Sequence, residues 1–206
     1  MKRLLFWLLL VILVPVGTTF AADVYTNEAL FQAAAGGGLA FESFENPLSV
    51  GSTLVTFAGG TFSCSPSVWC PGFFGVRNIG VATDGVWTAY FATPSAATFT
   101  FNSPITKFGV DMIGAGTVGA TNITIDWVNG TSQVYTGITG ASETVWFVGV
   151  IDSMPFSSVT FYGTALDDGI DFDRLQYGGS AVPEPSTLML VGSALAGLVM
   201  IRRRRA

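Results

Sequence analysis

Through most of the chain, hydrophobic and polar positions alternate with a period of two, the spacing of a strand with one buried face. Ala40–Phe44 begins it. Leu54-Val55-Thr56-Phe57, a Gly59-Gly60 turn and Thr61-Phe62-Ser63 then predict a hairpin. Further strands are expected at 87–91, 97–101, 107–113, 123–127, 131–135, 144–151, 158–162 and 170–177, with Asn129-Gly130 as a two-residue turn. About ten short strands without crossover helices predict an all-β fold, an antiparallel β-sandwich, over residues 23–178. One short helix is expected before them. Thr26 is placed to cap it, Glu28 suits its first turn, Ala29, Leu30, Ala33 and Ala34 form its stripe, and Gly36-Gly37-Gly38 ends it.

Both ends break the alternation. Lys2-Arg3, an apolar run from Leu4 to Val14, the helix breakers Pro15 and Gly17, and small residues before Ala22 form a signal peptide over residues 1–22. Cleavage is expected after Ala21 or Ala22, by signal peptidase after passage through the Sec translocon; an uncleaved N-terminal anchor is the plain alternative. At the other end, residues 179–206 comprise a Gly-Ser linker, Val182-Pro183-Glu184-Pro185, an apolar stretch to Ile201, and Arg202, Arg203, Arg204 and Arg205. The two prolines hold the chain extended, and Ser186 can cap a helix behind them. The apolar stretch is short against the roughly 20 residues that span a hydrocarbon core, but snorkelling arginines allow insertion as a single transmembrane helix. Its arginines would stay on the cytoplasmic side of the inner membrane. Gly192, Ser193, Ala196 and Gly197 have the spacing of close helix contacts, although small residues are common in such helices.

Composition narrows what the sandwich does. Half of the 206 residues are hydrophobic, only 11% are charged, and histidine is absent. Disorder is excluded as the main state, together with His-based triads and metal sites. Residues 23–178 carry three basic and thirteen acidic residues, a formal charge of −10. Nucleic acid is not an expected partner for such a surface.

Candidate chemistry is sparse. Cys64 and Cys70 are the only cysteines and, in an exported chain, read as a disulfide; a redox pair is the alternative, without the usual Cys-x-x-Cys spacing. No cofactor is required. A structural calcium ion is one reading of Asp167, Asp168, Asp171 and Asp173, with Glu42 as a fifth ligand from an early strand. A solvated turn is the other. Trp69, Trp87, Trp127 and Trp146, with Tyr90, Tyr135 and Tyr162, are candidates for stacking on a sugar ring; Trp69, in a Pro- and Ser-rich loop, is the one expected to be exposed, whereas Trp127 and Trp146 sit in alternating runs and are expected in the core. Asn122 and Asn129 match the glycosylation acceptor by coincidence in this setting. Paired acids such as Asp167/Asp168 or Asp111/Asp126 give little support for a glycosidase, and no catalytic residue is assigned.

Pro183-Glu184-Pro185, a short apolar helix and a terminal arginine cluster resemble the PEP-CTERM sorting signal of Gram-negative bacteria. That resemblance implies recognition of Val182–Pro185 by a membrane-embedded exosortase. The protease cuts there, leaves Arg202–Arg205 behind, and passes the cargo to the cell surface or to extracellular polysaccharide. The segments 101–111, 149–152, 156–161 and 169–173 resemble the jelly-roll domains found in PEP-CTERM proteins, which are similar to carbohydrate-binding sandwiches. The resemblance implies a structural or adhesive role in exopolysaccharide or biofilm, with a specific carbohydrate-binding module and a secreted glycan hydrolase as alternatives.

Overall fold

The computed structural model describes residues 22–45, 54–64, 75–78, 80–128, 131–141 and 143–179. Eleven strands and one helix follow in order: β1 (Asp23–Tyr25), α1 (Glu28–Ala35), β2 (Ala40–Glu42), β3 (Leu54–Phe57), β4 (Gly60–Cys64), β5 (Gly75–Arg77), β6 (Thr88–Ala92), β7 (Ala96–Ile113), β8 (Thr121–Val128), β9 (Thr131–Ile138), β10 (Val145–Gly163) and β11 (Gly169–Gly178).

All pairings are antiparallel, and two long strands organise them. The C-terminal part of β7 pairs with β11 on one side and with the first half of β10 on the other. β6 and β5 extend this layer beyond β11, and β1 extends it beyond β10. The N-terminal part of β7 pairs with β4 and with the second half of β10, which in turn holds β8 and then β9. Register shifts in the β7–β10 ladder, at Ile151/Phe156 and Phe156/Ser158, mark the crossing from one layer to the other. The alternation predicted separate strands at 97–101 and 107–113, and again at 144–151 and 158–162. The structure joins each pair, because Asn102–Pro104 and Asp152–Met154 bend the strand without reversing it.

The two layers pack face to face, as in a β-sandwich. Phe172 of β11 meets Phe62 of β4, Phe99 of β7 and Phe161 of β10, with ring centroids 5.7, 5.3 and 4.6 Å away. All four side chains are fully buried, with Phe91 stacked parallel to Phe172 at 5.5 Å. Val110, Met112, Val148 and Val150 face Ile123 and Ile125 in the same core. The inward row is thus the period-two pattern of the sequence, made in large part of phenylalanine.

The outer face of the first layer carries α1. Phe31 rests on Gly109 of β7 and Gly149 of β10, where an added Cβ would stand 2.8 and 2.7 Å from its ring. A glycine at both positions lets the helix approach the sheet closely. Asn27, and not Thr26, caps the helix: its Oδ1 accepts from the Leu30 N–H at 3.0 Å. β1 stays paired to β10 as far as Tyr25, which moves the helix start one residue on. Gly36, at φ 68°, closes the C-terminus with a bond from its N–H to the Gln32 carbonyl.

Candidate functional site

The acidic stretch at the start of β11 is divided by the strand's own alternation. Asp167 is exposed in the turn, in the left-handed region at φ 59°. Asp168 is fully buried and fastens the loop after β7, accepting from the Gly116 N–H (2.7 Å), the Thr117 N–H (3.2 Å) and the Thr117 hydroxyl (2.8 Å). Asp171 and Asp173, two residues apart, lie on the outer face. Asp171 accepts from the Thr88 hydroxyl of β6 at 2.7 Å. Asp173 stands directly opposite Asp111 of β7.

Two buried carboxylates side by side repel each other, and burial disfavours their charged forms. Burial raises Asp173 from 3.8 to about 6, against the pull of the Asp84 and Arg174 N–H groups and the Thr83 hydroxyl. Burial also raises Asp111, opposed by Thr83 and by Arg174. The donors come from two places. The segment before β6 gives Asp173 Oδ2 the Thr83 hydroxyl at 3.1 Å and the Asp84 N–H at 2.7 Å. Arg174, in the left-handed region at φ 50°, gives Oδ1 its N–H at 2.7 Å. The Arg174 guanidinium binds Glu28 of α1 and reaches Asp111 at 3.8 Å. Gln176 and Gln32 complete the network around Glu28. One guanidinium thus faces the carboxylates of Glu28 and Asp111, while Asp173 is held by neutral donors.

Glu42 does not join this group. It pairs with Leu175, and its Oε1 accepts from the Phe44 N–H at 2.8 Å. Among the described residues no group of three or more acids is arranged to hold a metal ion. The convergence of Asp171 and Asp173 was legible from their spacing. Asp111, Thr83, Arg174 and Glu28 reach the site through register and topology, which no local signal carries.

Trp127 is buried as expected, its Nε1–H donating to Asp152 Oδ2 at 3.0 Å. Trp146 departs from the expectation of a core residue: it is 38% exposed. Its alternation is right, in line with Val148 and Val150, but where it stands the space toward β9 is an open cavity and not packed core. Cys64 ends β4 and is not a free thiol; Cys70 and Trp69 lie outside the described residues. So do the signal peptide through Ala21, Val182–Pro185 and Arg202–Arg205. Among the described residues no helix is long and apolar enough to cross a membrane, and the apolar stretch 188–201 is not among them.

Residues 181–205 match the PEP-CTERM protein-sorting motif. The chain carries a PEP-CTERM sorting domain. The PEP-CTERM motif implies export, a membrane-anchored sorting signal at the C-terminus and processing by an exosortase. No curated protein matches the chain in sequence. Among solved structures, a family 11 carbohydrate-binding module from Clostridium thermocellum, in complex with a mixed-linked tetrasaccharide, is similar at 11% identity and TM-score 0.36. The similarity covers 65% of the PEP-CTERM chain and 98% of the module. The catalytic domain of a GH87 alpha-1,3-glucanase in complex with tetrasaccharides is similar at 14% identity and TM-score 0.36, over 71% of this chain and 29% of that one. Tailspike protein 4 of bacteriophage CBA120 follows at 14% identity and TM-score 0.32, over 68% and 19%. The chain spans under a third of the glucanase domain's length. With every TM-score below 0.4, the sandwich rests on its own strand register.

Proposed function

We propose that this protein is exported through its signal peptide, held transiently in the inner membrane by Leu188–Ile201 and the cluster Arg202–Arg205, and cut near Val182–Pro185 by an exosortase. Its sandwich then serves a structural and adhesive role at the surface, or in the extracellular polysaccharide, of a Gram-negative bacterium. The observation that carries the reading is the sorting motif at residues 181–205, directly behind the last strand, which ends at Gly178. The acidic sandwich supports it, since a domain at −10 is soluble and repels anionic surfaces. Cys64 and Cys70 form a disulfide in this reading, closing a short loop worth about 2 kcal/mol in the chain-entropy estimate. The sandwich is taken as non-enzymatic.

The test follows the C-terminus. In cells with an active exosortase, mass spectrometry of the exported protein should find a chain ending near Val182–Pro185, without Arg202–Arg205. Deleting the exosortase, or substituting Glu184→Ala, should leave the full tail in the membrane fraction. Exported material that keeps its arginines refutes the sorting reading. Release of reducing sugar from a polysaccharide panel, lost with Asp173→Asn, refutes the non-enzymatic one.

A further inference from the structure

The row Val150, Val148, Trp146 on β10 leads out of the core to a cavity of about 360 Å³ at one end of the sandwich. This volume lies within the range of small-molecule sites. The C-terminal end of β9, Tyr135 to Ile138, forms another wall, and Met112 and Val148 line it from the core side. Trp146 is 38% exposed here, an expensive place to leave an indole in contact with water. Tyr135 lines the same cavity, and its hydroxyl, shut off from solvent, has no hydrogen-bond partner in the protein. Such an orphan is unfavourable. Thr26, Thr136 and the Gly137 backbone add neutral polar groups, and none of the lining residues is charged.

We propose that this cavity is a binding site for one neutral pyranose unit of a glycan, stacked on Trp146, hydrogen-bonded to the threonines and, once the Tyr135 side chain turns its occluded hydroxyl into the cavity, to that hydroxyl as well. Two aromatic rings fit the C–H faces of a sugar, while hydroxyl partners fit its edge. A charged guest is disfavoured twice. An anion meets a domain at −10 without a nearby cation in the cavity, and a cation finds no carboxylate lining it. An apolar guest would leave the Tyr135 hydroxyl as it is. The site deepens the matrix role proposed above and rests on it for the choice of glycans. The two fail separately: a sorting failure leaves an uncut C-terminus, whereas failure here leaves a correctly cut protein that binds no sugar.

The experiment uses the exported protein and a panel of neutral gluco-, manno- and galacto-oligosaccharides, with polygalacturonate as the anionic probe. Calorimetry and tryptophan fluorescence should show saturable binding to at least one neutral oligosaccharide. Trp146→Ala should weaken it at least tenfold. Tyr135→Phe should weaken it about threefold to tenfold, the range of one hydrogen bond. Because Tyr135→Phe removes an unpartnered buried hydroxyl, its melting temperature should hold or rise, which separates lost binding from lost folding. Trp69→Ala should bind as the wild type does. The proposal is overturned if no neutral oligosaccharide saturates the protein, if either Trp146→Ala or Tyr135→Phe keeps wild-type affinity, or if polygalacturonate binds more tightly.

Discussion

The paired carboxylates of Asp111 and Asp173 make the stability of the sandwich depend on pH in an unusual direction. Surface carboxylates that are ion-paired usually lose stabilising contacts on acidification. Asp173 does the reverse. Burial keeps it protonated in the folded chain up to about pH 6, while the unfolded chain releases the proton near 3.8. Between those values the folded state binds a proton that the unfolded state has lost. Its contribution is therefore fully present only well below 3.8, falls as pH rises through 6, and is flat above 7. At about 1.36 kcal/mol per pH unit, the interval amounts to about 3 kcal/mol. Asp111, raised by burial as well, adds in the same direction. Asp173→Asn keeps the side chain's size and removes its titration. The amide has one acceptor oxygen where the carboxylate has two, so the variant carries a fixed offset, and only the change with pH is diagnostic. Urea unfolding of wild type and variant, followed by tryptophan fluorescence from pH 4.5 to 7.5, gives the difference. The wild type should lose about 2 kcal/mol relative to the variant across that range, the first part of the loss lying below pH 4.5. A difference that stays constant, or that moves in the wild type's favour as pH rises, refutes the argument.

Three further substitutions probe the frame around this site. Phe172→Ala removes the ring that touches both layers and should destabilise the protein by about 3–5 kcal/mol in the same unfolding assay. Gly109→Ala drives a methyl to 2.8 Å from Phe31 and should cost about 1–3 kcal/mol, with faster hydrogen exchange in α1 than in the core strands. Asp168→Ala deprives Gly116 and Thr117 of their acceptor; limited proteolysis should then cut the loop between β7 and β8 first.

What could be read from the sequence followed the range over which each signal acts. The sorting tail is a linear address, so order and position within two dozen residues were enough. The inward rows on β4, β7, β8, β10 and β11 were legible because alternation is local. The unity of β7 was not, since Asn102-Ser103-Pro104 has the composition of a turn. Trp146 had the pattern of a core residue; its exposure comes from the cavity that the packed layers leave beside the end of β9. Asp171 and Asp173 could be placed on one face by spacing, but Asp111, opposite Asp173, lies 62 residues upstream of it and arrives only through strand register. The helix cap shifted from Thr26 to Asn27 for a similar reason: a pairing with distant β10 decided where the helix begins.

The position of β11 bears on when the protein can become itself. This last strand is inserted between β6 and β7, in the middle of its layer, and supplies the ring that bridges to the other. Nothing emerging earlier can close the gap. Secretion must thus deliver nearly every residue ahead of the tail before the barrier to a finished sandwich can be crossed, and a chain interrupted anywhere upstream arrives outside as an open, strand-edged intermediate.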